Sequence, residues 1–122
     1  MTVELNHTIV VSRDQRAAAR DLAELLGLEA SSLGHFDVVQ LNNGVSLDFM
    51  DVDDLPAQPM HLAFLVPEDT FDEAFARVRE RDLPYWADPF HIRAQQLNHM
   101  NGGRGFYWDS PDGHVLEVLT KA

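Results

Sequence analysis

The 122-residue chain contains no cysteine, which excludes disulfides, thiolate metal sites and a cysteine nucleophile. It is poor in positive charge: 9 Lys and Arg stand against 20 Asp and Glu, for a formal net charge of −11 at pH 7. A surface of that sign repels phosphate, which argues against a nucleic-acid partner and disfavours an anionic membrane. No apolar run approaches the roughly 18 residues of a membrane span. The opening "MTVELNHTIVV" lacks the basic segment of a secretory signal. These absences lead to the expectation of a cytoplasmic protein. What is present, 45% hydrophobic and 24% charged residues, is the composition of a globular domain, and the length suits one domain with one real core.

The periodicity changes along the chain in a regular order. "LNHTIVV" (5–11) is short and β-branched, a strand. In "SRDQRAAARDLAELLGL", Ser12 and Gln15 have capping-box spacing, Ala18, Leu22, Leu25 and Leu26 share a helical face, and Gly27 is a stop signal. "LEASSL" reads as a weak strand, and "FDVVQL" and "VSLDFM" flank "NNG", a hairpin signal. The first module, about 1–53, is therefore β-α-β-β-β. A polar, proline-containing linker, "VDDLPAQPM", follows.

The second module, about 59–122, repeats the order. "HLAFLV" is a strand, and "TFDEAFARVRERDL" is a helix with Thr70 and Glu73 at capping-box spacing and a stripe of Phe71, Ala74, Phe75 and Val78. "PYWA" is a short strand, and "GFYW" and "HVLEVL" flank the turn "SPDG". The expected class is α+β: two βαβββ modules in a single 1–122 domain, forming a cupped, mixed β-sheet with helices on its outer face.

The repeat extends to chemistry. "NGVSLDF" (43–49) and "DGHVLEV" (112–118) share one frame, with Asp48 and Glu117 at the same place, and each module opens on a strand carrying a His, His7 and His61. Alternation along a strand sets Asp48 against Leu47 and Phe49, Glu117 against Leu116 and Val118, and each His against the apolar positions beside it. The apolar faces belong to the helices, so the four polar groups lie on the opposite faces. An unpaired charge away from water is costly. If the two sheets curl together, the four groups converge, and two imidazoles with one or two carboxylates suit a divalent metal such as Fe, Mn, Co, Ni or Zn. Asp48, with the shorter arm, is a fourth ligand or a partner behind the ligands. Any one of the four taken alone reads as a satisfied strand residue; their repetition gives them weight. His35, His91 and His114 read as surface or loop residues.

Proline cannot take a positive φ, so "SPDG" favours a three-residue loop, Pro111–Gly113, with Gly113 left-handed. That register sets Ser110 opposite His114 and Tyr107 opposite Glu117, and so points Tyr107 into the same cavity as an acid or hydrogen-bond donor. The stretch from Asp88 to Gly103 has no period and is long for a compact domain, as binding loops often are. Trp86, Phe90, Arg93, Met100 and Arg104, with His91 and His99, are its candidates for lining an aromatic or oxygenated substrate.

Paired βαβββ modules, His7 and His61 on opening strands, and "GRGFYWDSPDGHVLEVL" near the C-terminus resemble the vicinal oxygen chelate superfamily, which includes glyoxalases, extradiol dioxygenases, fosfomycin-resistance transferases and bleomycin-binding proteins. The resemblance implies a divalent metal held by His7, His61 and Glu117, with Asp48 as a fourth ligand or base as in glyoxalase I. "HMNGGRGFYWDSPDGHVLE" is similar to the signature region of extradiol dioxygenases, where His99, Tyr107 and Glu117 match in spacing and give His99 a role in proton transfer. It also implies a homodimer. The function expected is a metal-dependent enzyme acting on a small oxygenated organic substrate, by glyoxalase- or epimerase-like proton transfer or by dioxygenase-like chemistry. The alternative is a sequestering protein of the bleomycin-resistance type.

Overall fold

Parallel pairing of β1 (His7–Ser12) with β4 (Ser46–Asp51) organises the first unit of the chain, Met1–Ala57. In this computed structural model, which describes all residues Met1–Ala122, the strand order is β1-β4-β3-β2. β2 is Ala30–Leu33 and β3 Phe36–Gln40; both other contacts are antiparallel, so the sheet is mixed. Helix α1 (Gln15–Leu26) buries Ala18, Ala19, Leu22, Ala23, Leu25 and Leu26 and packs on β3 and β4. The paired Val39 and Leu47, with Val10 and Phe49 beside them, form the buried apolar side of the sheet.

The expected cap of α1 is corrected. Ser12 belongs to β1, where its carbonyl accepts Val52 N–H at 2.9 Å, and the N-cap is Asp14, whose Oδ1 accepts Ala17 N–H at 3.1 Å. Gln15 is occupied elsewhere: its N–H donates to Asp51 Oδ1 at 2.6 Å while its Oε1 accepts Asp51 N–H at 2.9 Å. Gly27 does end the helix, at φ 73°, a conformation that costs glycine little. The "NNG" turn joins β3 to β4, with Leu41 N–H donating to Val45 O at 2.8 Å.

The second unit, Gln58–Ala122, repeats the topology with one strand reduced. β5 (His61–Leu65) is parallel to β7 (Val115–Leu119), and β6 (Gly105–Asp109) is antiparallel to β7 on its other side. The expected strand "PYWA" is present only as Trp86, which forms isolated antiparallel bridges to Tyr107 of β6 and to Ala94. Helix α2 (Glu68–Glu80) buries Phe71, Ala74 and Val78. Phe106 of β6 meets Phe71 at 5.4 Å and Phe75 at 5.5 Å between ring centroids. Burying such a ring is worth roughly 2–3 kcal/mol, which fixes this side of the sheet against the helix. α2 starts at Glu68 behind Pro67 rather than at Thr70, because the fixed φ of Pro67 (−68°) sets the entry and the acids Glu68 and Asp69 favour the helix N-terminus. The fold is thus α+β, two βαβββ-like modules each with a mixed sheet. No helix is long and apolar enough to cross a membrane.

Candidate active site

The repeated frame is a repeated register. In the first unit His7 pairs with Ser46, and Asp48 lies two residues further along β4; in the second His61 pairs with Val115, and Glu117 lies two residues further along β7. A strand period of two puts each His and its acid on one face of adjacent strands, the face away from the helix.

In the second unit this brings three groups together. His61 Nε2 lies 3.0 Å from Glu117 Oε1. The Glu117 side chain is only 9% exposed and that of His61 48%, so the acid is held in the sheet while the imidazole faces outward. Tyr107 is opposite Glu117, as the three-residue turn requires: Ser110 N–H donates to His114 O at 2.9 Å, and Gly113 has φ 83°. The Tyr107 ring lies 5.7 Å from that of His61, and its phenol donates to the Glu117 carboxylate. Burial, then the Glu117 charge, that hydrogen bond and the Asp88 charge push the phenol up to about 12. Tyr107 therefore keeps its proton at neutral pH and is a donor, not a base.

The first unit carries the same pair in another state. Asp48 accepts Ser46 Oγ–H at 2.8 Å, and His7 Nδ1 lies 2.7 Å from Asn6 Oδ1 at the exposed start of β1. Ser46 occupies the position that Val115 holds in the second unit, so the short acid is captured by its own strand.

An imidazole nitrogen and a nearly buried carboxylate 3.0 Å apart, on the sheet face away from the helix, are donors suited to Fe, Mn, Co, Ni or Zn. No three His, Asp or Glu side chains gather around one point in the chain, so of the four expected ligands His61 and Glu117 are the pair brought into contact.

The loop residues divide. Trp86 is half-buried and bridged to Tyr107, and so shares its face. Phe90, Arg93 and Met100 are exposed, as is His99, whose carbonyl accepts Gly102 N–H. Arg104 is committed to α2: it reaches Glu68 Oε2 at 2.6 Å and Asp72 Oδ1 at 2.8 Å and lies over the Phe71 ring at 4.3 Å. Of the histidines read as surface or loop residues, one is corrected: His114 is buried, with Nδ1 accepting Met60 N–H at 3.0 Å. His91 is an exposed loop residue as expected, and it also stacks on Trp86 and meets Asp109. Sequence reading also missed Asp109 itself, although the alternation that places Tyr107 on the open face places Asp109 there too.

Paired βαβββ modules, each with a histidine and an acid on the sheet face away from its helix, define the α+β class to which the fold belongs. Two solved structures share the sequence as well. The chain is 54% identical to "Oxidase ChaP-H1" over 99% of its own length and 98% of that chain, with a TM-score of 0.95. It is also 54% identical to "Oxidase ChaP-H2", over 100% of its length and 96% of that chain, with a TM-score of 0.96. The fosfomycin resistance protein FosX from Mesorhizobium loti shares the fold at 21% identity and a TM-score of 0.72, covering 100% of this chain and 95% of its own. No protein-family model matches the sequence, and no curated protein does. The chain belongs to the vicinal oxygen chelate superfamily.

Proposed function

We propose that the chain is a divalent-metal-dependent oxidase of the vicinal oxygen chelate type, a cytoplasmic homodimer acting on a small oxygenated organic molecule. The observation that carries the reading is the His61–Glu117 contact with Tyr107 beside it on the sheet face away from the helix. The likeness to two oxidases, ChaP-H1 and ChaP-H2, each 54% identical over nearly the whole chain, supports the oxidase class over proton transfer alone. In this reading His61 and Glu117 hold the metal, and the resemblance supplies His7 as a third ligand and Asp48 as a fourth ligand or a partner behind the ligands. When bound, the ion supplies Lewis acidity and open positions for substrate oxygens.

The chain's own residues do the rest. β7 fixes Glu117 from both sides, between β5 and β6, so the carboxylate is preorganised. Tyr107 holds a proton against Glu117 and can present it to a substrate oxygen in the same place. Trp86 supplies an apolar wall beside Tyr107. A sequestering protein of the bleomycin-resistance type would use the same face without turnover.

The test is metal analysis of untagged protein with a parallel oxygen-uptake screen. We expect a stoichiometric divalent metal that His61→Ala loses by at least about tenfold in affinity, as removal of a ligand should. Wild-type protein that cannot be loaded with any of the five metals would reject the reading. A protein that loads metal but binds one aromatic drug per site without turnover is the sequestering protein instead.

A further inference from the structure

The open face of the second sheet carries more chemistry than the proposed ligands use. Asp109 lies two residues beyond Tyr107 on β6, so both side chains leave the same face, and Trp86 shares it through its bridge to Tyr107. His91 completes the group. Its ring stacks on Trp86 with centroids 3.9 Å apart and planes at 26°. Its Nε2 lies 3.2 Å from one Asp109 carboxylate oxygen and 3.1 Å from the other.

The loop is built to hold this arrangement. His91 has φ 61°, a left-handed conformation that residues other than glycine adopt rarely and that persists only where the surroundings impose it. Asp88 imposes it by accepting the amides of Phe90 at 2.9 Å, Ile92 at 3.1 Å and Arg93 at 2.7 Å. These bonds hold the Asp88 carboxyl below its usual range. Below the loop, Ala87 N–H donates to Arg93 O at 3.0 Å and Gln95 N–H to Tyr85 O at 2.8 Å. A surface histidine with no task needs neither the strained backbone nor the brace.

The carboxylate also decides the chemistry of the ring. With Asp109 accepting from Nε2–H, the neutral imidazole keeps its lone pair on Nδ1, where it can accept a proton from a bound group. The imidazole stacked on the indole is itself exposed, so its outer face is a flat surface on which a planar ring can lie.

We propose that Trp86, His91 and Asp109 form a subsite for a planar phenolic or enolic ring, with His91 Nδ1 accepting the proton of its hydroxyl. The O–H bond breaks, the N–H bond forms, and the resulting oxyanion faces an imidazolium paired with Asp109. This names the substrate class of the site proposed above and rests on that reading only in taking this face as the one that binds substrate.

The probe is 4-nitrophenol, coloured as the phenolate and pale as the phenol, with 4-nitroanisole as the control that has no proton to give. Both are titrated into metal-free full-length protein at a pH below the probe's own pKa, so that ligation to a metal cannot produce the colour. Wild-type protein should bind 4-nitrophenol with a shift towards phenolate and bind the anisole at least about tenfold more weakly, the worth of one charge-assisted hydrogen bond. His91→Asn tolerates the left-handed backbone; it should abolish the shift and weaken 4-nitrophenol binding about tenfold. Its uptake of cobalt(II), followed by absorbance, should match wild type. Asp109→Asn should bind the probe with a smaller shift.

No shift in wild type, or an unchanged shift and affinity in His91→Asn, overturns the subsite whatever the protein's metal content. Failure of wild type to take up cobalt(II) while the His91-dependent shift persists counts against the metal reading and upholds the subsite.

Discussion

Removing the carboxylate of Asp37 tests how α1 is locked to the first sheet. Asp37 lies on β3 facing the helix, buried, and accepts Gln15 Nε2–H at 2.6 Å and Ser32 Oγ–H at 2.8 Å. Arg16 is at 3.9 Å from the same carboxylate. Hydrogen bonds to a charged group are each worth about 1.5–3 kcal/mol. Gln15 and Ser32 reach water once released, so Asp37→Ala should destabilise by about 2–3 kcal/mol, lowering Tm by about 10 °C for a chain of this size. The Gln15 bond, opposed by burial and aided by Ser32, Arg16 and Arg20, lowers the Asp37 carboxyl from its ordinary value. A lowered folded-state pKa gives stability that is present above the ordinary carboxyl value and lost as pH falls through the folded one. The gap between wild type and Asp37→Ala in urea unfolding should therefore be full at neutral pH and shrink below about pH 4. A gap that persists unchanged into acid would show that packing, not the carboxylate, is responsible. No gap at neutral pH would refute the lock altogether.

Two further substitutions separate structure from chemistry. Tyr107→Phe removes the phenol and keeps the ring, so metal uptake should persist while turnover by an active preparation falls about 100-fold, within the range for a lost proton donor. Equal turnover would remove Tyr107 from the mechanism. Arg104→Ala releases Glu68 and Asp72 and uncovers Phe71; it should cost about 1 kcal/mol in thermal unfolding, less at high salt, with metal uptake unchanged. A loss of metal uptake in that variant would show that the Arg104 contacts with α2 also support the His61–Glu117 pair.

Much of the fold was legible because it is periodic and written twice. Alternation assigned the faces of β1, β4, β5 and β7, and the constraint on Pro111 set the register that puts Tyr107 opposite Glu117. What failed was local competition. Ser12 and Asp14 both offer a cap oxygen two residues apart, and the ladder of β1 claims Ser12. Thr70 loses to the backbone geometry of Pro67. The loop from Asp88 was opaque because its order comes from one carboxylate collecting three amides, which has no spacing signature, and so the Trp86–His91–Asp109 group was not foreseen as a unit. Asp48 and Glu117 look alike in the sequence; that Ser46 captures one and not the other depends on side-chain reach.

The matched offset between histidine and acid carries a constraint on how such a chain can change. Inserting or deleting one residue in the turns at Asn43–Gly44 or Pro111–Gly113 would slip β4 or β7 by one step and rotate its acid into the oily layer under the helix. Lengthening the segment between Trp86 and Asn98 leaves every ladder partner of β5, β6 and β7 where it was. Descendants of this sequence are thus free to vary what they recognise by remodelling that excursion, while their hairpin lengths stay frozen.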